Sequence, residues 1–464
     1  MRPFRRMALV LALLLGLLIA NLTWVQVLNA ESIRQHPDNT RNLLEQYNKP
    51  RGPILVESTP IAVSRRATDT GLYQRSYVDG PMYSTVTGYF SLLYGATGIE
   101  QYANNVLSGN DSRFFVDRVQ QLFAGRKRAV GAVTLSVSSA AQRAAYGALQ
   151  DHVGAIVAIA PKTGAILAMS SGPSFDPQVL APNHPEGIRP AYDLLKNDKA
   201  QPLLNRAIQR TYSPSAAFNL VTVSAALSSG KFTLRTLIPG PAEFVPAGAT
   251  RAITNRSGKA CSASGSVTVA VALESSCTTA IAWLGSQIGT EALRSTAEQF
   301  GFESSVAIPL NVVPSRIKHT GTPISEALTA TGALGVRVTP MQMAMVGASI
   351  ANAGTLMQPY LVHDVRGPDL SELDRATPKT LGTPVSARAA RALMQSMQDF
   401  TARHCATCDF GGVMPAIVVS HTAAVTWAIA FTDEVAVAVA LEGSSASSAS
   451  DAATSVIRAV TANS

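Results

Sequence analysis

The sequence predicts an α+β fold in which helices pack beside an antiparallel sheet. Two apolar runs, at residues 155–160 and 165–170, flank a turn that contains Gly164, and this pattern predicts a β-hairpin. Stretches of helical character follow the hairpin. Three further strand-like runs come near the end of the chain, at residues 416–420, 425–431 and 435–441. Strands, then helices, then strands again are typical of an α+β domain.

The remaining elements are predicted from caps and periodicity. Residues 54–56 and 133–137 are strand-like, and Ser138 and Ser139 can cap a helix over residues 140–152. The central helices are predicted at residues 218–227, 268–284, 291–300 and 340–353. A Ser/Ala-rich loop at 443–450 and a closing helix at 452–460 complete the prediction.

Size and composition limit the class of protein. A chain of 464 residues exceeds one ordinary core, and a hydrophobic fraction of 47% beside a charged fraction of 15% excludes a disordered chain. The net charge of +8 favours anionic surfaces such as lipid headgroups or wall polymers. Nucleic acid is not expected as a partner, because no dense Lys/Arg run is interleaved with aromatic residues.

The amino terminus predicts a membrane anchor. A basic cluster of Arg2, Arg5 and Arg6 precedes an apolar run over residues 7–28, which is about the length that a membrane-spanning helix needs. The basic flank is expected in the cytoplasm, which places the bulk of a single-pass protein outside the cell membrane. A cleaved signal peptide is the alternative. The run is long for one, and Leu28 stands where a small residue is expected, so we favour the uncleaved anchor.

Three regions are therefore expected along the chain. Residues 1–29 would form a cytoplasmic stub and transmembrane helix, residues 30–130 a small amino-terminal domain, and residues 131–464 the main domain. The basic patch at residues 125–128 is the predicted linker between the last two.

Four cysteines predict disulfides outside the membrane. Oxidation is the normal state of cysteine there, and we expect the bridges Cys261–Cys277 and Cys405–Cys408, although the sequence does not fix the connectivity. The alternative is a metal or redox site built on Cys405 and Cys408 with His404. These are too few ligands for a structural zinc, and the pair precedes a Gly-Gly turn. We therefore expect no metal and no cofactor.

The order of several motifs resembles the class B penicillin-binding proteins, and most of all their actinobacterial penicillin-binding protein A type. The matching stretches are DNTRNLL at residues 38–44, RGPI at 51–54, YSTVTGYFS at 83–91, TG at 163–164, PSFDP at 173–177, LNRAI at 204–208, VTP at 338–340 and IANAG at 350–354. The resemblance covers nearly the whole chain. It implies a small pedestal domain that carries a serine-transpeptidase-like domain with an antiparallel sheet flanked by helices.

The resemblance also implies three catalytic motifs, of which the first is Ser-x-x-Lys at the start of a helix. The serine attacks a D-Ala-D-Ala carbonyl, and the lysine helps to remove its proton. The family's PPGSTFK corresponds here to SPSAAFN at residues 213–219. Ala216 therefore stands at the nucleophile position and Asn219 at the lysine position. A methyl group cannot attack a carbonyl, and an amide is not a base.

The second motif, Ser-x-Asn, is altered at one position. The family's SCNTA corresponds to residues 276–280, which keep Ser276 and replace the asparagine with Thr278. The amide that would hydrogen-bond the backbone of a bound peptide is lost.

The third motif, Lys-Thr-Gly, is altered at two positions. The family's SKTGT corresponds to residues 420–424, where His421 replaces the lysine, Thr422 is kept, and Ala423 replaces the glycine. Histidine with an unperturbed pKa near ~6.5 is mostly neutral at pH 7, so the fixed charge is lost. Backbone N–H groups of Ala216 and Ala424 could survive as a remnant of an oxyanion hole.

These losses lead to two functional hypotheses. We expect a catalytically inactive penicillin-binding-protein-like scaffold or stem-peptide binder, which acts on peptidoglycan assembly beside cell-wall or division membrane proteins. The alternative is an active D,D-transpeptidase with a rearranged site, in which Ser215 or Ser276 is the nucleophile and His421 the base. Ser215 has no lysine three residues on, which makes its local activation weak.

Overall fold

The computed structural model describes residues 2–24, 47–68, 71–114, 130–182, 185–306, 308–318, 321–405, 408–409 and 413–462, with only the backbone for residues 2–6 and 8–10. The family-like stretch at residues 38–44 and the predicted linker at residues 125–128 lie outside the described residues.

The described helices are labelled in chain order. They are α1 Arg2–Thr23, α2 Gly80–Thr87, α3 Gly98–Tyr102, α4 Asn104–Leu107, α5 Ser139–Ala148, α6 Ile188–Asn197, α7 Asn219–Ser228, α8 Val269–Glu274, α9 Thr278–Ile288, α10 Thr290–Gln299, α11 Pro323–Ala330, α12 Pro340–Ala351, α13 Ala387–His404 and α14 Ala446–Thr461. Short 3₁₀ turns are formed by Ser112–Phe114, Pro177–Leu180 and Ser215–Phe218.

The described strands are mostly short outside two larger sheets. They are β1 Ile54–Val56, β2 Thr59–Arg66, β3 Tyr73–Tyr77, β4 Phe90–Ser91, β5 Gly95–Ala96, β6 Ala132–Leu135, β7 Gly154–Ile159, β8 Ile166–Gly172, β9 Leu237–Pro239, β10 Glu243–Phe244, β11 Ile253–Thr254, β12 Ser266–Thr268, β13 Arg316–Ile317, β14 Val336–Arg337, β15 Leu356–Met357, β16 Val362–Arg366, β17 Glu372–Arg375, β18 Thr380–Gly382, β19 Ala416–His421, β20 Val425–Phe431 and β21 Ala436–Glu442.

A five-stranded antiparallel sheet forms the centre of the main domain, in the order β19-β20-β21-β7-β8. Strand β20 is buried along its whole length, which explains why its sequence is apolar at both odd and even positions. Helices α5 and α14 cover one face, and α12 covers the other. Helix α12 is buried at nearly every position and is mostly apolar, as expected for a helix inside a core, with Gln342 and Ser349 as its buried polar residues. The α+β prediction is confirmed.

Helix α7 lies within the larger part of the core. Its residues 219–226 are all buried, and it packs against α9, α10 and the 3₁₀ turn Ser215–Phe218. That turn in turn packs against β19 and β20, so the segment with the altered first motif meets the edge of the central sheet.

A six-stranded sheet joins distant parts of the chain, in the order β17-β16-β6-β1-β2-β3. Strand β6 pairs parallel with β1 and antiparallel with β16, and the hydroxyl of Thr134 donates to the carboxylate of Asp364 at 2.9 Å. The sheet takes strands from both sides of the predicted boundary at residue 130.

Three buried charged residues lie beside this sheet and form what we call the charge cluster: Arg51, Arg75 and Glu100. Nε of Arg51 and Nε of Arg75 each lie 2.5 Å from one carboxylate oxygen of Glu100. Arg75 also donates to the carbonyl of Gly52 at 2.8 Å, and the guanidinium of Arg51 stacks over the ring of Phe90 at 4.3 Å. Burial alone would raise the pKa of the Glu100 carboxyl, but attraction to Arg75 and Arg51 outweighs it and holds that pKa below its ordinary value.

Three predicted elements were wrong in their extent. The helix expected at residues 140–152 ends at Ala148. The single helix expected at residues 268–284 is two helices, α8 and α9, because Ser276 between them has a left-handed φ of 52° that ends α8. The closing helix begins at Ala446 rather than at residue 452, since Ser445 caps it by accepting from the N–H of Ser448 at 3.2 Å. Part of the predicted loop at residues 443–450 is therefore helical.

No helix built from fully described residues has the length and apolar character required to cross a bilayer. Leu11, Leu14 and Leu17 of α1 are exposed. The single-pass anchor over residues 7–28 stays a prediction.

Candidate active site

The candidate active site lies where the 3₁₀ turn Ser215–Phe218 meets the edge strand β19. Ala216 lies in this turn and is partly exposed, whereas Asn219 begins α7 and is 2% exposed. The Oδ1 atom of Asn219 is buried without a hydrogen-bond partner among the described residues. At the position that the resemblance compares with the lysine, the amide oxygen thus lacks a partner among the described residues.

The backbone of Ser215 supports the alignment that places Ala216 at the nucleophile position. Ser215 has φ of 47°, a left-handed conformation that favours glycine. The resembled motif has a glycine at this place, one residue before its serine. The backbone of Ser215 therefore has the conformation expected at the glycine position of the motif, although its hydroxyl is chemically able to act as a nucleophile.

The turn is held from two sides. The N–H of Ser215 and the hydroxyl of Ser213 both donate to the carbonyl of Gly332, each at 3.1 Å. Gly332 has φ of +68°, and a Cβ there would come within 2.4 Å of the Ser215 carbonyl oxygen, so glycine is required. From the sheet, Nε1 of Trp427 donates to the carbonyl of Ser213 at 2.9 Å.

The cross-strand pairing of β19 with β20 decides which way His421 points. Ser420 faces Trp427 and His421 faces Thr426, and paired residues share a face of an antiparallel sheet. Trp427 bonds the turn that carries Ser215, so Ser420 lies on that side. Thr426 bonds the carbonyl of Ser444 at 2.5 Å, next to the start of α14. His421 therefore lies on the α14 face.

Direct contacts of His421 agree with that direction. Its Nδ1 lies 2.6 Å from the hydroxyl of Thr426, and its backbone carbonyl accepts from Nη1 of Arg256 at 3.0 Å. The imidazole and the Ser215 turn are on opposite faces of the sheet, so the structure does not bring this predicted Ser–His pair together.

The chain reverses direction directly after β19. The hydroxyl of Thr422 donates to the carbonyl of Val425 at 2.8 Å and accepts from the N–H of Val425 at 3.0 Å. Ala423 and Ala424 are exposed in this turn. Thr422 therefore closes a hairpin, and residues 423 and 424 stand at its tip.

Ser276 and Thr278 flank the first disulfide. Cys277 is bonded to Cys261, and Cys405 to Cys408, so the structure contains both expected bridges. Ser276 and Thr278 are partly exposed. Asn255 holds the segment that contains Ser276 and Thr278, because its Oδ1 accepts from the N–H of Thr279 at 3.0 Å.

Sequence reasoning missed Arg256 and Asn255. Arg256 joins the loop after β11 to the end of β19, and the Asn255 amide also donates to the carbonyls of Pro241 and Lys259, each at 2.9 Å. Neither belongs to a motif. A buried asparagine beside an arginine in a turn-rich segment carries no local signal of its distant partners.

Comparison with known proteins gives two family matches. Residues 154–462 match the penicillin binding protein transpeptidase domain, and residues 51–133 match the penicillin binding protein A dimerisation domain.

Related proteins match over most of the chain. The chain is 37% identical over 403 residues to the peptidoglycan D,D-transpeptidase PbpA of Mycolicibacterium smegmatis, covering 85% of this chain and 81% of that protein. It is 35% identical over 399 residues to PbpA of Mycobacterium tuberculosis H37Rv, with the same coverage. The imipenem acyl-enzyme complex of penicillin-binding protein A from M. tuberculosis superposes with a TM-score of 0.87 at 32% identity, covering 90% of this chain and 100% of that one.

Proposed function

We propose that this chain, which belongs to the penicillin-binding protein A family of peptidoglycan transpeptidases, is a catalytically inactive member. In this role it binds stem peptides or acts as a scaffold. The chain is a cell-wall protein of penicillin-binding type with a transpeptidase fold. Its inactivity is our inference from the cleft.

The observation that carries the proposal is the methyl group of Ala216 at the nucleophile position. The left-handed backbone of Ser215 supports this register. An acyl-enzyme needs an oxygen or sulfur nucleophile with a base in reach. Asn219 cannot supply the base, and His421 faces the other side of the sheet.

A binding role remains chemically open at the same cleft. The backbone N–H groups of Ala216 and Ala424 are the groups that we expect to meet a peptide carboxylate or carbonyl, whereas the hydroxyl of Thr422 is engaged with Val425. Without a covalent step, such binding is expected to be weak and reversible.

The surroundings of the protein belong to the proposal as well. We expect residues 1–29 to anchor the chain in the cell membrane, residues 30–130 to form the pedestal, and residues 131–464 to form the transpeptidase-like domain outside the cytoplasm. Cell-wall or division membrane proteins are the expected partners, because a scaffold without catalysis acts through what it binds.

Intact-mass analysis of the full chain after incubation with labelled penicillin tests the loss of catalysis. We expect no covalent adduct under conditions in which penicillin-binding protein A of M. tuberculosis is acylated. An adduct that maps to Ser215 or Ser276, and that disappears in Ser215→Ala or Ser276→Ala, would establish the rearranged transpeptidase instead.

A further inference from the structure

A cavity of about 530 Å³ lies outside the candidate active site, between α2, α3 and the loops at residues 202–209 and 309–311. Its volume is within the roughly 300–1,000 Å³ that small-molecule sites occupy. Residues 216, 219, 276, 278 and 421 do not line it. The cavity is therefore a second place at which a ligand could be held.

The lining is aromatic and polar but uncharged. Its aromatic rings are Tyr89, Tyr102, Phe175 and Tyr192, and its amides are Gln101, Asn205, Gln209 and Asn311. None of the twenty described residues that line the cavity has an ionisable carboxylate, ammonium or guanidinium group. At the 15% charged residues of the whole chain, about three of twenty would be expected.

The walls of the cavity are fixed by contacts that need no ligand. Thr85 in α2 accepts at Oγ1 from the N–H of Ser171 at 3.1 Å, and its carbonyl accepts from Nδ2 of Asn205 at 3.1 Å. The rings of Tyr89 and Phe175 meet edge to face at 6.3 Å, and Tyr192 stacks on Tyr94 at 3.7 Å. A preformed site loses little entropy when a ligand binds.

The phenol of Tyr89 is held in its neutral form. Burial raises the pKa of Tyr89 to about 12, so this group stays protonated at neutral pH. A phenol both donates and accepts a hydrogen bond, as do the amides of Gln101, Gln209 and Asn311. These three amide residues are exposed at the cavity and can reach a bound molecule.

This combination selects one ligand chemistry. Aromatic rings pack against the apolar C–H faces of a sugar ring, and phenols and amides pair with its hydroxyl or acetamido groups. A phosphate or a free carboxylate would find no cation in the lining. We propose that this cavity binds an uncharged oligosaccharide, of the kind that the glycan part of a cell-wall polymer presents.

The inference goes beyond the proposed function and does not depend on it. The glycan would be bound between the pedestal and the main domain, away from the cleft that meets a stem peptide. The two sites can therefore fail or succeed separately in experiments.

Calorimetric titration of the full chain with the β-1,4-linked hexamer of N-acetylglucosamine tests the proposal. We expect saturable binding that weakens about tenfold in Tyr102→Ala, because aromatic side chains are prominent among the contact residues whose truncation weakens binding most. Tyr102 is 60% exposed at the cavity, so its removal leaves the core intact. Gln209→Ala, also exposed, is a second variant and is expected to weaken binding.

Tyr73→Ala is the matched control, since Tyr73 lies in β3, is partly exposed and does not line the cavity. It should bind as the unmodified chain does. Absence of saturation with the unmodified chain, or equal weakening in Tyr73→Ala and Tyr102→Ala, would overturn the proposal. Penicillin labelling of the same samples reports on the cleft independently.

Discussion

The charge cluster and the candidate active site differ in how completely their buried polar groups are paired. In the cluster, Glu100 meets two guanidinium groups at 2.5 Å each, and Arg51 also donates to Asn104 at 2.7 Å. In the cleft, Oδ1 of Asn219 and the hydroxyl of Ser420 are buried without hydrogen-bond partners among the described residues. Both sites are buried, but each charge of the cluster has a counter-charge, and of the cluster's polar atoms Nη2 of Arg75 alone lacks a hydrogen-bond partner among the described residues.

The difference shows how much each region depends on its polar contacts for stability. A buried charge is tolerated only when it is paired and hydrogen-bonded, so removal of one member of the cluster is expected to destabilise the fold. An unpaired amide or hydroxyl costs less and can persist. The cleft therefore keeps two buried polar groups that have no partner among the described residues.

The largest expected effect comes from breaking the cluster. Glu100→Gln leaves two buried guanidinium groups without a counter-charge, and we expect it to lower the free energy of unfolding by about 3–5 kcal/mol. Chemical denaturation measures the change. Glu372→Gln, which breaks the exposed pair with Arg375, is the control and should change stability by less than ~1 kcal/mol. Similar small losses in both variants would mean that the cluster is not needed.

The same carboxylate should make stability depend on pH. The pKa of Glu100 is lowered on folding, so its contribution is fully present above the unfolded pKa of about 4.3 and is lost as pH falls through the folded value. The difference in unfolding free energy between the unmodified chain and Glu100→Gln should therefore shrink below about pH 4. A difference that stays constant down to pH 2 would show that Glu100 is not the titrating group.

The smallest expected effect is in the cleft and has the opposite sign. Asn219→Leu removes an unpaired buried acceptor, and we expect a gain in stability of about 1 kcal/mol. Asn255→Leu is the matched control. Its amide has three partners at 2.9–3.0 Å, so the same change should cost about 1–3 kcal/mol. Destabilisation of Asn219→Leu as large as that of Asn255→Leu would show that the cleft amide is a structural group.

Local elements were largely predictable because their signals lie within a few residues. Ser138 caps α5 as predicted, accepting from the N–H of Ala141 at 3.5 Å, and the apolar runs at residues 155–160 and 425–431 are strands β7 and β20. The break between α8 and α9 was missed, because the surrounding segment is periodic and only the left-handed Ser276 interrupts it.

Contacts between distant residues were not predictable in this way. Strand β16 pairs with β6 across about 230 residues, and Glu100 meets Arg51 and Arg75 from sequence separations of 49 and 25. The uncharged cavity likewise gathers residues from α2, α3, α6 and two later loops. Hydrophobic periodicity reports which face of an element is buried and not which element covers it.

The sequence by itself determined which residue types stand at the positions compared with the catalytic motif, because a nucleophile and a base are properties of single residues: the side chains of Ala216 and Asn219 can act as neither. It also determined the family, through the order of its motifs. Only the tertiary structure decided where His421 points. Residues 416–419 are apolar on both faces of β19, so their pattern does not reveal which side faces the turn, and the pairing of Ser420 with Trp427 sets it.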